Sequence, residues 1–207
     1  MSRRLLVATR NAGKVREIGE ILAGIPGLEV VGLEELGVAE SPEEDALEEF
    51  ATFAENALAK ARWFARQTGE LTLADDSGLC VDALGGAPGV HSRRFAAADE
   101  ARGLAQDEAN NRHLLRLLAG TPAERRTAQY VCAAALADAE GFEEVFVGTC
   151  DGVIVEAPRG SGGFGYDPLF YVDGEGMTLG ELLPERKHVL SHRGKAVRAA
   201  ARALAAG

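Results

Sequence analysis

The first 22 residues constrain the fold of this chain more than any other segment. Arg4 to Ala8 is an apolar stretch with the length of a buried strand, and Lys14 to Leu22 has apolar residues at helical spacing. Between them lies the polar turn Thr9-Arg-Asn-Ala-Gly13. A strand, a tight turn and a helix in this order open an α/β unit, so we expect an α/β fold.

Similar patterns continue along the whole chain. Strands are predicted at 28–31, 71–74, 79–84, 128–137, 144–156 and 169–172, and helices after Thr52, at 107–118 and at 191–206. Thr52 and Glu55 have the spacing of a capping box at the start of the first of these helices. No repeat or linker divides the chain, so we predict one α/β domain, residues 1–207, with two lobes.

Charge and length exclude several classes of protein. With 22 Lys+Arg against 32 Asp+Glu, the 207 residues carry a formal net charge of −10. Nucleic acids and membrane surfaces attract cationic proteins, so neither is the expected partner. The apolar segments are too short for a signal peptide or a membrane span, and Cys80, Cys132 and Cys150 lack C-x-x-C spacing. We therefore expect a cytoplasmic protein with free, buried thiols.

Two glycine motifs match nucleotide-binding patterns, but the residues around them do not fit those folds. Gly160 to Gly165 matches G-x-G-x-x-G, but Pro168 and a strand follow it where a dinucleotide-binding fold has a helix. Gly13-Lys14 resembles a P-loop, yet Ala8 and Val15 stand at its Gly and Ser/Thr positions. The Gly13-Lys14 turn is then either an anion site at a helix N-terminus or a capped turn with a solvent-exposed lysine.

Asp75-Asp76-Ser77-Gly78 ends an apolar strand, where α/β sheets place reacting groups. Adjacent carboxylates on an extended chain point to opposite faces, so only one is expected in any given cleft. A buried carboxylate requires a cation or a metal, and Mg²⁺ accepts one or two carboxylates together with phosphate oxygens. The alternative is an Asx-turn in which Asp caps the Ser-Gly bend.

Basic residues gather near the C-terminus, within residues 186–198: Arg186, Lys187, His188, His192, Arg193, Lys195 and Arg198. They form either a polyanion site or a solvated helix face. Phe164 and Tyr166, in the glycine-rich loop, can stack on a base whose edge Asp167 reads.

Taken together, these segments resemble the inosine triphosphate pyrophosphatase family in nearly the whole chain, from Leu5 to the terminal helix. The matching blocks, in chain order, are 8–14, 52–57 with Lys60, 74–79, 85–90, 162–168 and 191–194. The resemblance implies an elongated mixed β-sheet flanked by helices, with the active-site cleft between two lobes. It also implies a homodimeric, Mg²⁺-dependent enzyme.

The implied reaction converts inosine, deoxyinosine and xanthosine triphosphates (ITP, dITP, XTP) to the monophosphate and pyrophosphate, which keeps deaminated purines out of DNA and RNA. By resemblance, Asp76 is the catalytic carboxylate and binds the metal with Glu48. The residues implied to bind substrate are Thr9, Arg10, Asn11, Ala12, Gly13, Lys14, Lys60, Ser77, Phe164, Gly165, Tyr166, Asp167, Lys187, His192 and Arg193. Donors facing the 6-keto oxygen, with His192, Arg193 and backbone N–H groups as candidates, would give purine selectivity.

The chain departs from the family pattern in three places. Residues Ser41 to Leu47 look like a small insertion, which makes Glu44 a second candidate for the metal, and Phe50 stands where glycine is common. Arg10 occupies a position where a small residue is frequent, and either contacts a phosphate or points to solvent. Two other functions remain open: a pyrophosphatase for modified pyrimidine triphosphates, and a nucleotide-binding regulator without turnover.

Overall fold

A seven-stranded mixed sheet organises the part of the chain that the computed structural model describes, residues 3–23 and 25–206. The strand order is β2-β1-β3-β4-β5-β6-β7. The strands are β1 (Arg3–Val7), β2 (Leu28–Gly32), β3 (Thr72–Val81), β4 (Thr127–Ala137), β5 (Glu143–Ile154), β6 (Phe170–Val172) and β7 (Met177–Thr178). β1 pairs in parallel with β2 and β3, whereas β6 is antiparallel to both β5 and β7.

Five α-helices accompany the sheet in this part of the chain. They are α1 (Ala12–Leu22), α2 (Phe53–Thr68), α3 (Gln106–Leu117), α4 (Pro184–Leu190) and α5 (His192–Ala206). The 3₁₀ segments are Pro42–Glu48, Asp82–Leu84, Gly89–Arg94 and Ala123–Arg125. This architecture confirms the predicted fold class.

The chain forms two compact units, as the predicted lobes require. The first consists of the residues up to Asp76, Cys132–Gly148 and the segment from His192 onward. Side chains alternate across its strands, as the two-residue period of a strand demands. Leu5 and Val7 pack in one cluster with residues of α1 and α5, while Leu6 and Ala8 pack in another with residues of α2.

The second unit consists of Ser77–Val131 and Thr149–Ser191. Its core contains Leu79 of β3, Leu114 of α3 and Phe170 of β6, all fully buried. The buried Arg126 side chain donates hydrogen bonds to the backbone carbonyls of Leu118, Ile154 and Val155. This guanidinium is therefore a structural group of the second unit.

Three local predictions need correction. β3 is one continuous strand, not two, so the Asx-turn alternative for Asp75 and Asp76 is wrong. Both carboxylates have side-chain partners, and the backbone stays extended. The helix predicted at 191–206 is confirmed as α5, but the sequence did not predict the shorter helix α4, which the extended residue Ser191 separates from it. Cys80 is only partly buried, whereas Cys132 and Cys150 are buried; all three thiols are free.

Two further predictions concern the start of α2 and membrane insertion. The Thr52 hydroxyl accepts the Glu55 N–H over 3.2 Å, so Thr52 caps α2 as expected. The Glu55 carboxylate accepts from the Thr52 hydroxyl over 2.7 Å, and not from the Thr52 backbone N–H as a capping box requires. Across residues 3–23 and 25–206, every helix is too short or too polar to cross a bilayer.

Candidate active site

Asp75 and Asp76 face opposite sides of β3, as the sequence predicts for neighbours in a strand. Asp75 contacts Lys14 of α1 and Arg193 of α5, whereas Asp76 contacts Asn56 and Lys60 of α2. All of these residues belong to the first unit. The two carboxylates therefore have separate environments.

Asp75 lies in a buried ionic network. Its Oδ2 is 3.1 Å from Lys14 Nζ and accepts a 3.2 Å hydrogen bond from Arg193 Nε, while Arg193 NH1 binds the buried carboxylate of Glu17. Burial alone would raise the pKa of Asp75, but the positive charges of Lys14, Arg193 and Lys60 outweigh it and hold that pKa well below its usual range. Asp75 is therefore a permanent anion that orients two cations.

Asp76 is 8% exposed and has a different balance of interactions. Asn56 Nδ2 donates a 2.9 Å hydrogen bond to its Oδ2, and Lys60 Nζ lies 3.8 Å from its Oδ1. Burial raises the pKa of Asp76, an effect that Lys60, Lys14 and the hydrogen bond from Asn56 reduce without cancelling. Such a carboxylate can take up a proton more readily than an exposed one, which suits a general base.

Two ammonium groups meet at the backbone of β3. Lys14 Nζ lies 3.4 Å and Lys60 Nζ 2.6 Å from the carbonyl oxygen of Asp75. Burial would lower the pKa of Lys60, yet the carboxylates of Asp76, Glu48 and Asp75 outweigh it and raise that pKa. Lys60 is therefore charged. The solvent-lysine alternative for Lys14 is wrong, because its side chain is only 13% exposed and lies 3.1 Å from Asp75 Oδ2.

The turn before α1 has the geometry of a helix N-terminus. Asn11 is the N-cap, and its side chain accepts the Lys14 N–H over 3.1 Å. Thr9 Oγ1 in turn accepts the Asn11 N–H over 3.2 Å. Because the first amides of a helix lack intrahelical acceptors, those of Ala12 and Gly13 are available to an anion.

Glu48 and Glu44, the two candidates for a second metal ligand, have different partners. Glu48 Oε1 is 2.9 Å from Lys60 Nζ, so the ammonium of Lys60 contacts both Glu48 and Asp76. Glu44 instead binds the guanidinium of Arg10 and the backbone N–H of Ser41. The Arg10 side chain is thus held by Glu44 and does not simply point to solvent, while a phosphate contact by Arg10 stays a prediction.

The donor set near Lys60 suits Mg²⁺. Within the described ranges, no group of three or more His, Cys, Asp or Glu residues is arranged to hold a metal. Asp76 and Glu48 offer two carboxylates, and the side chain of Glu48 is 35% exposed. Mg²⁺ usually takes one or two carboxylates and completes its octahedron with water and substrate phosphates, so two are sufficient.

The glycine-rich loop of the second unit surrounds a buried ion pair. Lys187 Nζ lies 2.7 Å from Asp167 Oδ2, and that oxygen also accepts the Phe164 N–H over 2.8 Å. The Lys187 ammonium lies 5.3 Å from the centroid of the Phe164 ring, a cation–π distance. Gly163, with a φ of +74°, permits this arrangement, because a Cβ there would lie 2.1 Å from Asp167 Oδ2.

Helix α3 also binds this loop. Asp107 Oδ2 accepts the Gly165 N–H over 2.8 Å, and Asn111 Nδ2 donates to the Gly165 carbonyl over 3.0 Å. Tyr166 is buried and donates its hydroxyl proton to the carbonyl of Ser92 over 2.8 Å. The loop around Phe164 is therefore fixed at three consecutive residues, 164 to 166.

The structure sorts the predicted site residues into two groups. Those at 9–14, with Glu48, Lys60, Asp76, His192 and Arg193, lie in the first unit; Ser77, residues 164–167 and Lys187 lie in the second. The basic C-terminal cluster is not one solvated face, and its binding of a polyanion stays a prediction. Lys187 and Arg193 are buried in ion pairs, while Arg186 is exposed and pairs with Glu175.

Four residues of the site were not found from the sequence: Glu17, Asn56, Asp107 and Asn111. Asn56 lies four residues before Lys60 on α2, a spacing that places both on one helix face and could have identified it. Asp107 and Asn111 have the same spacing on α3. Glu17 gave no signal, because its partner Arg193 is 176 positions away in the sequence.

The chain is similar to known proteins over nearly its full length. The model of the Ham1 family matches residues 5–203. The chain is 49% identical over 193 residues to the dITP/XTP pyrophosphatase of Geobacillus kaustophilus, covering 93% of this chain and 90% of that protein. It is also 49% identical over 197 residues to the dITP/XTP pyrophosphatase of Yersinia pseudotuberculosis, covering 94% of each.

Solved structures give the same result. The Ham1 protein of Staphylococcus aureus superposes with a TM-score of 0.82 at 35% identity, covering 99% of both chains. The HAM1 protein of Coxiella burnetii superposes with a TM-score of 0.83 at 35% identity, covering 99% of this chain and 100% of that one.

Proposed function

The chain belongs to the Ham1 family, and from this premise we propose that it is a nucleoside triphosphate pyrophosphatase that hydrolyses dITP, XTP and ITP to the monophosphate and pyrophosphate. Relatives with about 50% sequence identity to this chain are named dITP/XTP pyrophosphatases, which supports both the reaction and the substrate class. Such an enzyme would keep deaminated purines out of DNA and RNA.

One observation carries the proposal: two ammonium groups, Lys14 and Lys60, converge on the Asp75 carbonyl next to the carboxylate of Asp76. In phosphoryl transfer the transition state spreads negative charge over the phosphoryl oxygens, so catalysis is mostly positioning and charge neutralisation. The buried Lys60, the partly buried Lys14 and the carboxylate of Asp76 lie together at this point of β3 and meet this requirement.

We assign the triphosphate to the turn before α1. The amides of Ala12 and Gly13 point along the helix axis and would bind phosphate oxygens, while the side chains of Thr9 and Asn11 shape the turn. Lys14 and Lys60 would neutralise the phosphoryl charge. Asp75 keeps Lys14 in place through its contact with the Lys14 ammonium.

Asp76 and Glu48 would hold Mg²⁺, which supplies charge neutralisation at the phosphates when it is bound. The contact between Glu48 and Lys60 supports Glu48 over Glu44 in this role. Asp76 would also orient the attacking water and accept its proton. Its raised pKa supports this task, and the hydrogen bond from Asn56 fixes the direction of the carboxylate.

We assign the base to the second unit. The ring of Phe164 would stack on the purine, and the Lys187 ammonium, held by Asp167, would donate to the 6-keto oxygen. An amino group at that position has no lone pair available to accept from the ammonium, so adenine would lose this hydrogen bond and present its own N–H donors to a buried cation. Arg193, bound to Asp75 and Glu17, supports the network around Lys14 instead.

A substrate panel tests the function. Purified protein with Mg²⁺ should release pyrophosphate from dITP, XTP and ITP far faster than from ATP or GTP. Against ATP we expect a ratio of at least about a hundredfold, from the lost hydrogen bond to a buried donor. Guanine keeps the 6-keto oxygen, so the ratio against GTP does not depend on this donor. Equal rates on all five would refute the selectivity. Preference for modified pyrimidine triphosphates, or saturable binding without product in a single turnover, would establish one of the two other functions.

The variant Asp76→Asn tests the mechanism on the same panel. We expect it to lose most of the turnover while binding nucleotide and unfolding at nearly the temperature of the native protein. Full activity would show that Asp76 is only a structural residue of β3.

We further propose that the enzyme is a cytoplasmic homodimer, as the family resemblance implies. The three free cysteines support a reducing compartment. Light scattering coupled to size exclusion measures the assembly, and a monomeric mass at micromolar concentration would exclude the dimer.

A further inference from the structure

The side chain of Arg10 binds the segment that carries Glu48. Its Nε and NH2 donate to the two carboxylate oxygens of Glu44 over 3.1 and 2.8 Å, a bidentate pair. NH1 donates to the carbonyl of Val38 over 2.9 Å, and NH2 to that of Ala39 over 3.0 Å. Arg10 thus binds both the backbone before the 3₁₀ segment Pro42–Glu48 and a side chain within it.

Polar contacts hold this 3₁₀ segment, because none of its residues is buried. Ser41 and Glu44 form a capping box at its start, where Glu44 Oε1 accepts the Ser41 N–H over 3.1 Å. At its end, Glu48 binds Lys60. Arg10 and Lys60 therefore each bind one part of this strongly acidic, solvent-exposed segment.

We propose that Arg10 is a positioning residue: it clamps Glu44 and the backbone of Val38 and Ala39, and thereby holds Glu48 at Lys60, beside Asp76. The role of Glu48 at the metal is part of the proposed function, and this inference rests on it. Because Arg10 also belongs to the turn assigned to the triphosphate, the clamp ties that turn to the carboxylate assigned to the metal.

The chemistry of the clamp requires arginine. A guanidinium presents a planar fork that matches a carboxylate and still has N–H groups for two carbonyls, whereas a lysine ammonium is a point charge with three donors. Arg10→Lys should therefore restore the charge without restoring the clamp.

Hydrogen exchange measured by mass spectrometry tests the clamp without nucleotide or metal. In Arg10→Ala and Glu44→Gln, peptides that cover residues 38–48 should exchange about tenfold faster, since a bidentate charge-assisted contact is lost. Arg62→Ala is the matched control, because Arg62 forms an exposed pair with Glu143. Unchanged exchange at 38–48 in Arg10→Ala would overturn the proposal.

Pyrophosphate release at varied Mg²⁺ tests the consequence for Glu48. The Mg²⁺ concentration that gives the half-maximal rate should rise about tenfold in Arg10→Ala, Arg10→Lys and Glu44→Gln, because each variant loses the bidentate charge-assisted contact between residues 10 and 44. The change in kcat should be smaller. The double variant should resemble the single ones, because the two residues act as one unit. Arg62→Ala should behave as the native protein.

The two measurements separate the possible failures. If Arg10→Ala raises the nucleotide KM while Glu44→Gln keeps the kinetics of the native protein, Arg10 is a substrate ligand. That result would overturn the proposal that Arg10 acts through Glu44. If the native protein releases no pyrophosphate, the proposed function fails, while the exchange of residues 38–48 still decides whether Arg10 holds the segment.

Discussion

Asn56 donates a 2.9 Å hydrogen bond to the Oδ2 of Asp76, and both side chains are buried. The other end of the same amide, Asn56 Oδ1, accepts the Phe50 N–H over 2.9 Å. One side chain on α2 therefore fixes the carboxylate assigned to catalysis and the backbone that leads from Glu48 into the helix. The Asn56 amide is therefore an uncharged group that positions Asp76 directly.

Replacing Asn56 should weaken catalysis through the pKa of Asp76. The hydrogen bond from Asn56 lowers that pKa, so Asn56→Ala should raise it further. Because the ionised carboxylate is the active form, the acid limb of kcat/KM should move to higher pH, and the maximum should fall about tenfold or more for the loss of a charged hydrogen bond. A pH–rate profile measures both effects. Glu55→Gln, at an exposed position of the same helix, is the control, and an unmoved acid limb would contradict the role of Asn56.

Asp75 should make stability depend on acid pH. Its pKa in the folded protein lies well below the usual range, so its contribution is fully present above about pH 4, the ordinary pKa of Asp, and is lost as the pH falls toward the folded value. Asp75→Asn should cost about 3 kcal/mol at pH 7, because Arg193 and Lys14 lose a buried partner. Urea unfolding from pH 7 to pH 2 should show this gap narrowing below about pH 4. A gap that stays constant down to pH 2 would show that the charge of Asp75 is not what stabilises the fold.

Gly163→Ala should disturb the base loop by collision as well as by backbone strain. The new Cβ would lie 2.1 Å from Asp167 Oδ2 and 3.0 Å from Lys187 Nζ, so the ion pair must move. We expect a KM for ITP about tenfold higher and a stability loss of about 1–3 kcal/mol. Gly120→Ala is the matched control, since its φ is +76° but no atom lies within 4 Å of its Cβ. Equal effects of the two variants on KM would rule out the collision.

Asn111→Ala should reduce discrimination between bases. The Gly165 carbonyl would lose its partner on α3, and the loop that carries Phe164 would have one contact fewer. We expect the ratio of kcat/KM for ITP to kcat/KM for ATP to fall several-fold, because one hydrogen bond contributes about 1 kcal/mol. Most of this change should be in KM. Steady-state kinetics on both nucleotides measure it, and Glu108→Gln at an exposed position of α3 serves as control. An unchanged ratio would remove Asn111 from the specificity machinery.

Much of the site could be predicted from short segments, because local chemistry determines them. The strand, turn and helix at residues 4–22, the Thr52 cap and the opposite directions of Asp75 and Asp76 all follow from periods of two and 3.6 residues and from capping. The order of six motif blocks was sufficient to identify the family. These features depend on residues only a few positions apart, so they can be read from the sequence without knowledge of the tertiary structure.

The partners of the charged groups could only be decided by the tertiary structure. Arg193 pairs with Glu17 and Asp75, and Arg10 pairs with Glu44, across separations of 176, 118 and 34 positions. A guanidinium in the sequence is equally suited to a phosphate, a carboxylate or water, and the choice depends on which groups folding buries beside it. The sequence by itself therefore determined which residues carry the chemistry, whereas burial in the folded chain decided which of them face one another and which serve as supports.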